Sequence, residues 1–277
     1  MKFKSELQAL MRTESEYRYQ IQHAFRRYPN ALLKHVNNLL DAANEALGER
    51  RLLVVIDNLD RYDPEVVDKL LYGSGRLVRA LKCHMIVTPP IALHYKPKTE
   101  PLDKSYIPVV LYTVRLRRKD QPHDAFDPAS VAKKLLLEAL DKRMDLDKLM
   151  PDPAARDRLL SASGGAMRDL LRLVREAIVI APGAKLEHAA IDRAATRLRI
   201  DMRDRINANG WAPTLARIMR DKQINDAPDC LDLLYQQLVY RYNSEGWYDV
   251  HPLVAEIPEV QAAFKALPAP ETQTKTD

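Results

Sequence analysis

The chain has 277 residues, enough for two modest domains with cores of their own. Hydrophobic residues at 46% and charged residues at 29% make an ordinary globular mixture, which excludes a disordered or fibrous chain. The net charge of +5 permits an anionic partner, but acids and bases are intermixed, so it does not by itself argue for nucleic acid.

No run of 18 or more apolar residues is present, so no membrane span is expected. The start, MKFKSELQAL, lacks the apolar stretch of a secretory signal. Cys83 and Cys230 lie far apart, form no ligand pair, and fit a reducing cytoplasm.

In chain order, residues 4–28 carry Leu7, Leu10, Met11, Tyr17, Ile21 and Phe25 at helical spacing. A second helix is expected over 31–47, stopped by Gly48. Leu52 to Ile56 is apolar at every position, the pattern of a strand buried on both faces of a parallel sheet. Pro64 opens a helix that breaks near Gly73 and Gly75. Residues 85–88 form a second buried strand, ended by Pro89-Pro90, and 108–114 a third. From residue 127 the texture turns helical, with helices expected over 128–143, 152–162, 166–181, 187–207, 211–221 and 229–242. A turn at 243–246 and a short strand, WYDV, follow, and the tail from Pro268 reads as disordered.

The strongest motif is LLVVIDNLDR, residues 52–61. Asp57 ends a strand, and Asp60 follows one turn on. Carboxylates at the C-terminal end of a parallel strand sit where phosphate and magnesium bind in phosphate-transferring enzymes. Asp57 would hold Mg2+ through water and Asp60 would orient the attacking water. The same acids would serve equally well as caps of the following helix. Thr88, ending the next strand, is placed to touch a terminal phosphate, or simply to terminate the strand. In SGGAMRDLLRLVREA, residues 163–177, Arg168 falls in the first turn of a helix, where a cation opposes the helix dipole and a bound anion would suit it. A solvated arginine is the alternative there. No glycine is followed by the lysine of a G-x-x-x-x-G-K-[ST] loop.

LLVVIDNLDR resembles the Walker B segment of AAA+ and STAND ATPases, the KAP-like group in particular. MIVTPPIAL falls where sensor 1 lies, with Thr88 as its polar residue, and SGGAMRDLL resembles sensor 2, with Arg168 as its arginine. Asn58 departs from the second acid of the usual motif, which moves the role of base to Asp60. The resemblance implies a partial parallel P-loop core over 1–126, a helical lid over 127–207 and a winged-helix-like module over 208–267. It implies that Asp57 and Arg61 bind ATP and Mg2+, that Asp60, Thr88 and Arg168 take part in hydrolysis, and that the P-loop comes from an upstream segment or a partner. On that reading the chain alone binds ATP weakly and turns none over. A protein partner or a homo-oligomer is expected, in the bacterial cytoplasm and in a defence setting, with no membrane. A scaffold on a degenerate NTPase fold and a winged-helix DNA-binding protein are the other two readings. Asp229 and Asp232 on the expected helix at 229–242 weigh against the last.

Overall fold

A computed structural model describes residues 27–73, 75–95, 106–183, 185–242 and 246–268. The expected helix at 4–28, the lysine-rich stretch 96–104 and the tail beyond residue 268 lie essentially outside the described residues. The chain divides into two compact units, one over residues 1–94 and 100–107, the other over 95–99 and 108–277. The protein is mostly helical, with two sheets of two strands each among the described residues.

In the first unit, α1 (Pro29–Leu47) precedes β1 (Leu53–Ile56). The chain then runs through a 3-10 turn at Leu59–Arg61, α2 (Pro64–Asp68), a π-turn at Lys69–Gly73 and α3 (Gly75–Arg79) into β2 (His84–Val87). α4 (Ala92–Tyr95) follows. Pro64 starts α2 because the missing N–H costs nothing at the first helical position, and Asp63 Oδ1 caps it by accepting from Glu65 N at 2.7 Å. β1 and β2 pair in parallel from Leu53↔His84 to Ile56↔Val87, and Thr88 N extends the ladder to Ile56 O at 3.1 Å.

The expectation of strands buried on both faces is not met. Leu53, Val55 and Ile86 share one face and are 52%, 56% and 50% exposed. Among the described residues, the opposite face is partly covered by a small cluster of Val67, Leu71 and Leu93 with Val87, Leu59, Tyr72 and Tyr106 against it. α1 buries no side chain. Its apolar face, Leu33, Val36, Leu40, Ala43 and Leu47, is half-buried, and polar contacts add to it: Asn37 Nδ2 donates to Ala80 O and Asn37 Oδ1 accepts from Lys82 N, each at 2.9 Å, and Lys82 pairs with Asp41 at 2.7 Å.

The third expected strand is also absent. Residues 108–114 make only one bridge, Thr113 to Tyr242, with Thr113 N donating to Arg241 O at 3.1 Å. Ile107, Val109 and Leu111 project almost wholly into solvent. The β-favouring composition predicts a strand here, but a strand also needs a neighbour, and the described residues supply a single bridge.

The second unit is built differently. Its helices are α5 (Ala132–Asp141), α6 (Leu146–Leu149), α7 (Pro153–Ser163), α8 (Met167–Ile180), α9 (His188–Asn209), α10 (Ala212–Asp221) and α11 (Pro228–Tyr235). An antiparallel hairpin follows, β3 (Val239–Tyr242) with β4 (Trp247–Val250), then α12 (Pro252–Ala255) and α13 (Pro258–Lys265). α7, α8 and α9 pack on one another. α8 buries Leu170, Leu173, Val174 and Ala177, the i, i+3, i+4, i+7 stripe of an amphipathic helix, and α9 buries Ile191, Ala195, Leu198, Met202 and Ile206. Each fully buried leucine stabilises by about 1.5–3 kcal/mol relative to exposure.

Two expected helices need correction. The helix placed at 128–143 begins at Ala132, because Asp127 Oδ1 accepts from Ala129 N and makes a turn of Asp127-Pro128 rather than a cap. The helix placed at 229–242 ends at Tyr235. Gln237 adopts φ 58°, a left-handed conformation that breaks it, and Val239-Tyr240-Arg241-Tyr242 becomes a strand in keeping with its β-branched and aromatic content.

Candidate functional site

The 52–61 motif folds as a strand and a tight turn. Asp57 leaves β1 and is exposed. Its Oδ1 accepts two hydrogen bonds, from Asn58 N at 2.8 Å and from Thr88 Oγ1 at 2.9 Å. Because β1 and β2 are parallel, both strands end on the same side, and this bond joins Asp57 and Thr88 across that end. The Thr88 hydroxyl, then the Asn58 N–H, and to a smaller extent the charge of Arg61, hold the Asp57 carboxyl below the usual carboxylate range, against weak desolvation. Asp57 is therefore a pre-set anion at neutral pH.

The turn depends on Asn58, which sits at φ 66°, ψ 14°. Asn tolerates the left-handed region better than most residues. Sequence reasoning treated Asn58 as a missing acid. Its role here is conformational, and Asp-Asn after a strand was the available signal. Asp60 follows, half-buried in the 3-10 turn, and Arg61 is exposed. The helix-capping alternative is resolved by Asp63, which caps α2 in place of Asp57 and Asp60.

Arg168 belongs to the second unit. It lies exposed in the first turn of α8. Its neighbour Asp169 is the buried member of the motif, accepting a hydrogen bond from Tyr240 Oη, with His251 Nε2 3.8 Å away. His251 Nδ1 accepts from Leu253 N at 3.0 Å and so caps α12. Burial pushes His251 down to about 4 and the Tyr240 hydroxyl well up. The two glycines before Arg168 are packing positions. A Cβ on Gly165, at φ 86°, would lie 1.9 Å from Val114 O, and one on Gly164 would lie 2.7 Å from Pro252. Tyr240 is a core residue, as its aromatic type suggests, but on a strand where the sequence predicts a helix.

No family model, curated protein or solved structure matches the chain. The weight therefore falls on geometry. In the first unit the structure brings together Asp57, Thr88 and, through its charge, Arg61. Among the described residues no group of three or more His, Cys, Asp or Glu side chains is arranged to hold a metal ion. Mg2+ needs less than that from the protein, since it keeps several waters and takes one or two carboxylates plus substrate phosphates. An exposed, ionised Asp57 fits that limited role. Among the described residues no helix is long and apolar enough to cross a membrane.

Proposed function

We propose that the chain is an ATPase component of the AAA+/STAND kind, acting on Mg-ATP whose phosphates are gripped by a P-loop from another segment or a partner protein. The observation that carries this reading is the 2.9 Å bond from Thr88 to Asp57, which ties together the carboxyl ends of two adjacent parallel strands, the place where open α/β sheets bind ligands. Asp57 would hold Mg2+ through water, and the ion would supply charge neutralisation at the phosphates. Asp60 orients the attacking water, and Thr88 fixes the Asp57 carboxylate and offers its hydroxyl at the phosphate side. Arg61 supplies a cation for the nucleotide. A partner or a second copy and a cytoplasmic setting, in a bacterial defence system, belong to the same reading.

One observation favours a second reading, a non-catalytic scaffold. The glycine pair and Asp169 of the Arg168 motif have packing duties that need no nucleotide. DNA binding through the terminal module has less support, because Arg241 on β3 lies over the rings of Tyr112 and Tyr248 at 5.0 and 5.8 Å. The experiment is phosphate release from Mg-ATP by the chain mixed with a co-purifying P-loop polypeptide. Turnover abolished by Asp60→Ala and Asp57→Ala supports the ATPase reading. Turnover indifferent to both variants leaves the scaffold.

A further inference from the structure

The second unit holds a polar cluster that the proposed ATP chemistry does not use. Asp249 of β4 is fully buried. Its Oδ1 accepts from Val250 N at 2.9 Å. Its Oδ2 accepts from Arg117 Nη2 and, at 2.6 Å, from Lys222 Nζ, and His123 Nε2 lies 3.3 Å away without the alignment of a hydrogen bond. Two cationic side chains and an imidazole therefore converge on one carboxylate oxygen. The cations are themselves nearly buried, Arg117 at 5% and Lys222 at 15% side-chain exposure. One negative charge against two leaves a surplus of buried positive charge; Arg117 also donates to the carbonyls of Arg118 and Gln121 and lies over the Trp247 ring, so the surplus falls on Lys222.

The lysine is held there against the preference of its backbone. Lys222 follows α10 at φ 57°, ψ 30°, the helix-ending position that glycine occupies without strain. Burial lowers its ammonium below the usual lysine range. Asp249 works against that shift, but Arg117 and Lys119 add to it, so the carboxylate does not fully compensate the site. Burial alone would raise the Asp249 carboxyl, yet His123, Lys222 and Arg117 together keep it low and ionised.

We infer that Lys222, His123 and Arg117 form an anion site that takes a phosphate group. Lys222 has N–H donors beyond the one directed at Asp249. Lys222 and His123 are the partly exposed members of the cluster, so the anion enters on their side. Arg118 and Lys119 on the same loop are exposed, but so are Asp120 and Asp124, so the loop's charges balance and the attraction for an anion rests on the buried cluster itself. The inference does not depend on the ATP reading, which concerns residues of the other unit. The phosphate can belong to a free anion or to a nucleic-acid backbone.

The test is calorimetric titration of the full chain with inorganic phosphate at constant ionic strength, checked by phosphorus NMR line broadening. Binding is expected at millimolar concentration or tighter, weakened at least tenfold by Lys222→Gln and by Lys222→Gly. The glycine variant relaxes the backbone, which offsets part of the cost of the lost buried ion pair, and circular dichroism checks that each titrated variant is folded. A short DNA duplex forms the second arm. Loss of DNA binding in parallel with loss of phosphate binding assigns the site to a backbone phosphate, and no effect on DNA assigns it to a free anion. No phosphate binding by the wild-type chain, or equal binding by Lys222→Gly, overturns the inference.

Discussion

The two units solve the folding problem to different degrees. In the second, Leu159, Leu160, Leu170 and Leu173 are fully buried, and three helices share one core. In the first, among the described residues, a two-stranded parallel sheet leaves Leu53, Val55 and Ile86 half in water, and α1 buries its apolar face only in part, with asparagine and lysine contacts beside it. Parallel sheets are stable where both faces are covered, and two strands alone are marginal. The candidate site therefore sits on the less self-sufficient unit.

The largest expected difference is in hydrogen exchange. Amides of α8 and α9 should exchange on the order of a thousandfold more slowly than those of β1 and β2, since local opening spans from near zero to the global stability. Equal protection in mass-spectrometric exchange would remove the contrast. Substitution sharpens it next. Leu173→Ala should cost about 2–5 kcal/mol in denaturant unfolding, against less than about 0.5 kcal/mol for Val55→Ala on the open face. A large loss at Val55 would mean that the face is covered.

Acid should act on the second unit through His251. Its folded pKa of about 4 lies below the ordinary 6.5, so folding favours the neutral ring. That contribution is complete above pH 6.5 and is lost as pH falls through 4, amounting to roughly 3 kcal/mol over the window. The groups facing the ring are Asp169, Tyr240, His123, Glu256 and Arg172. His251→Asn keeps an acceptor for Leu253 N and removes the titration. Its stability should fall less steeply between pH 6.5 and 4 than that of the wild type, and parallel curves would show that His251 is not the titrating group. The smallest effect is expected at the candidate site. Asp57→Asn should leave the melting temperature unchanged, because the carboxylate is exposed and the asparagine oxygen still accepts from Thr88 and Asn58.

Much of the second unit was legible in the sequence. Apolar periodicity marked α7 to α10 within two residues at each end, because the core stripe of a helix is printed in its spacing. The failures share a cause. The segments 108–114 and 239–242 are both β-favouring, and local composition cannot say whether a partner strand exists. One found β4 and the other found a single bridge. Residues 52–56 spelled a doubly buried strand, yet the described residues cover only one face. At the site, Asp57 and Thr88 were legible because strand ends were, whereas the left-handed turn at Asn58 and, in the second unit, the buried carboxylate of Asp169 have no local signal. A left-handed turn and a buried carboxylate are made by tertiary contacts.

The most direct test of the account is calorimetric titration of the purified chain with Mg-ATP. Asp57 and Asp60 add negative charge beside a triphosphate, and the grip in this kind of site comes mainly from loop N–H groups and a lysine. No heat at micromolar nucleotide and no phosphate release are predicted for the chain alone. Micromolar binding lost on Asp57→Ala, with no other polypeptide present, would contradict the claim that the site is incomplete.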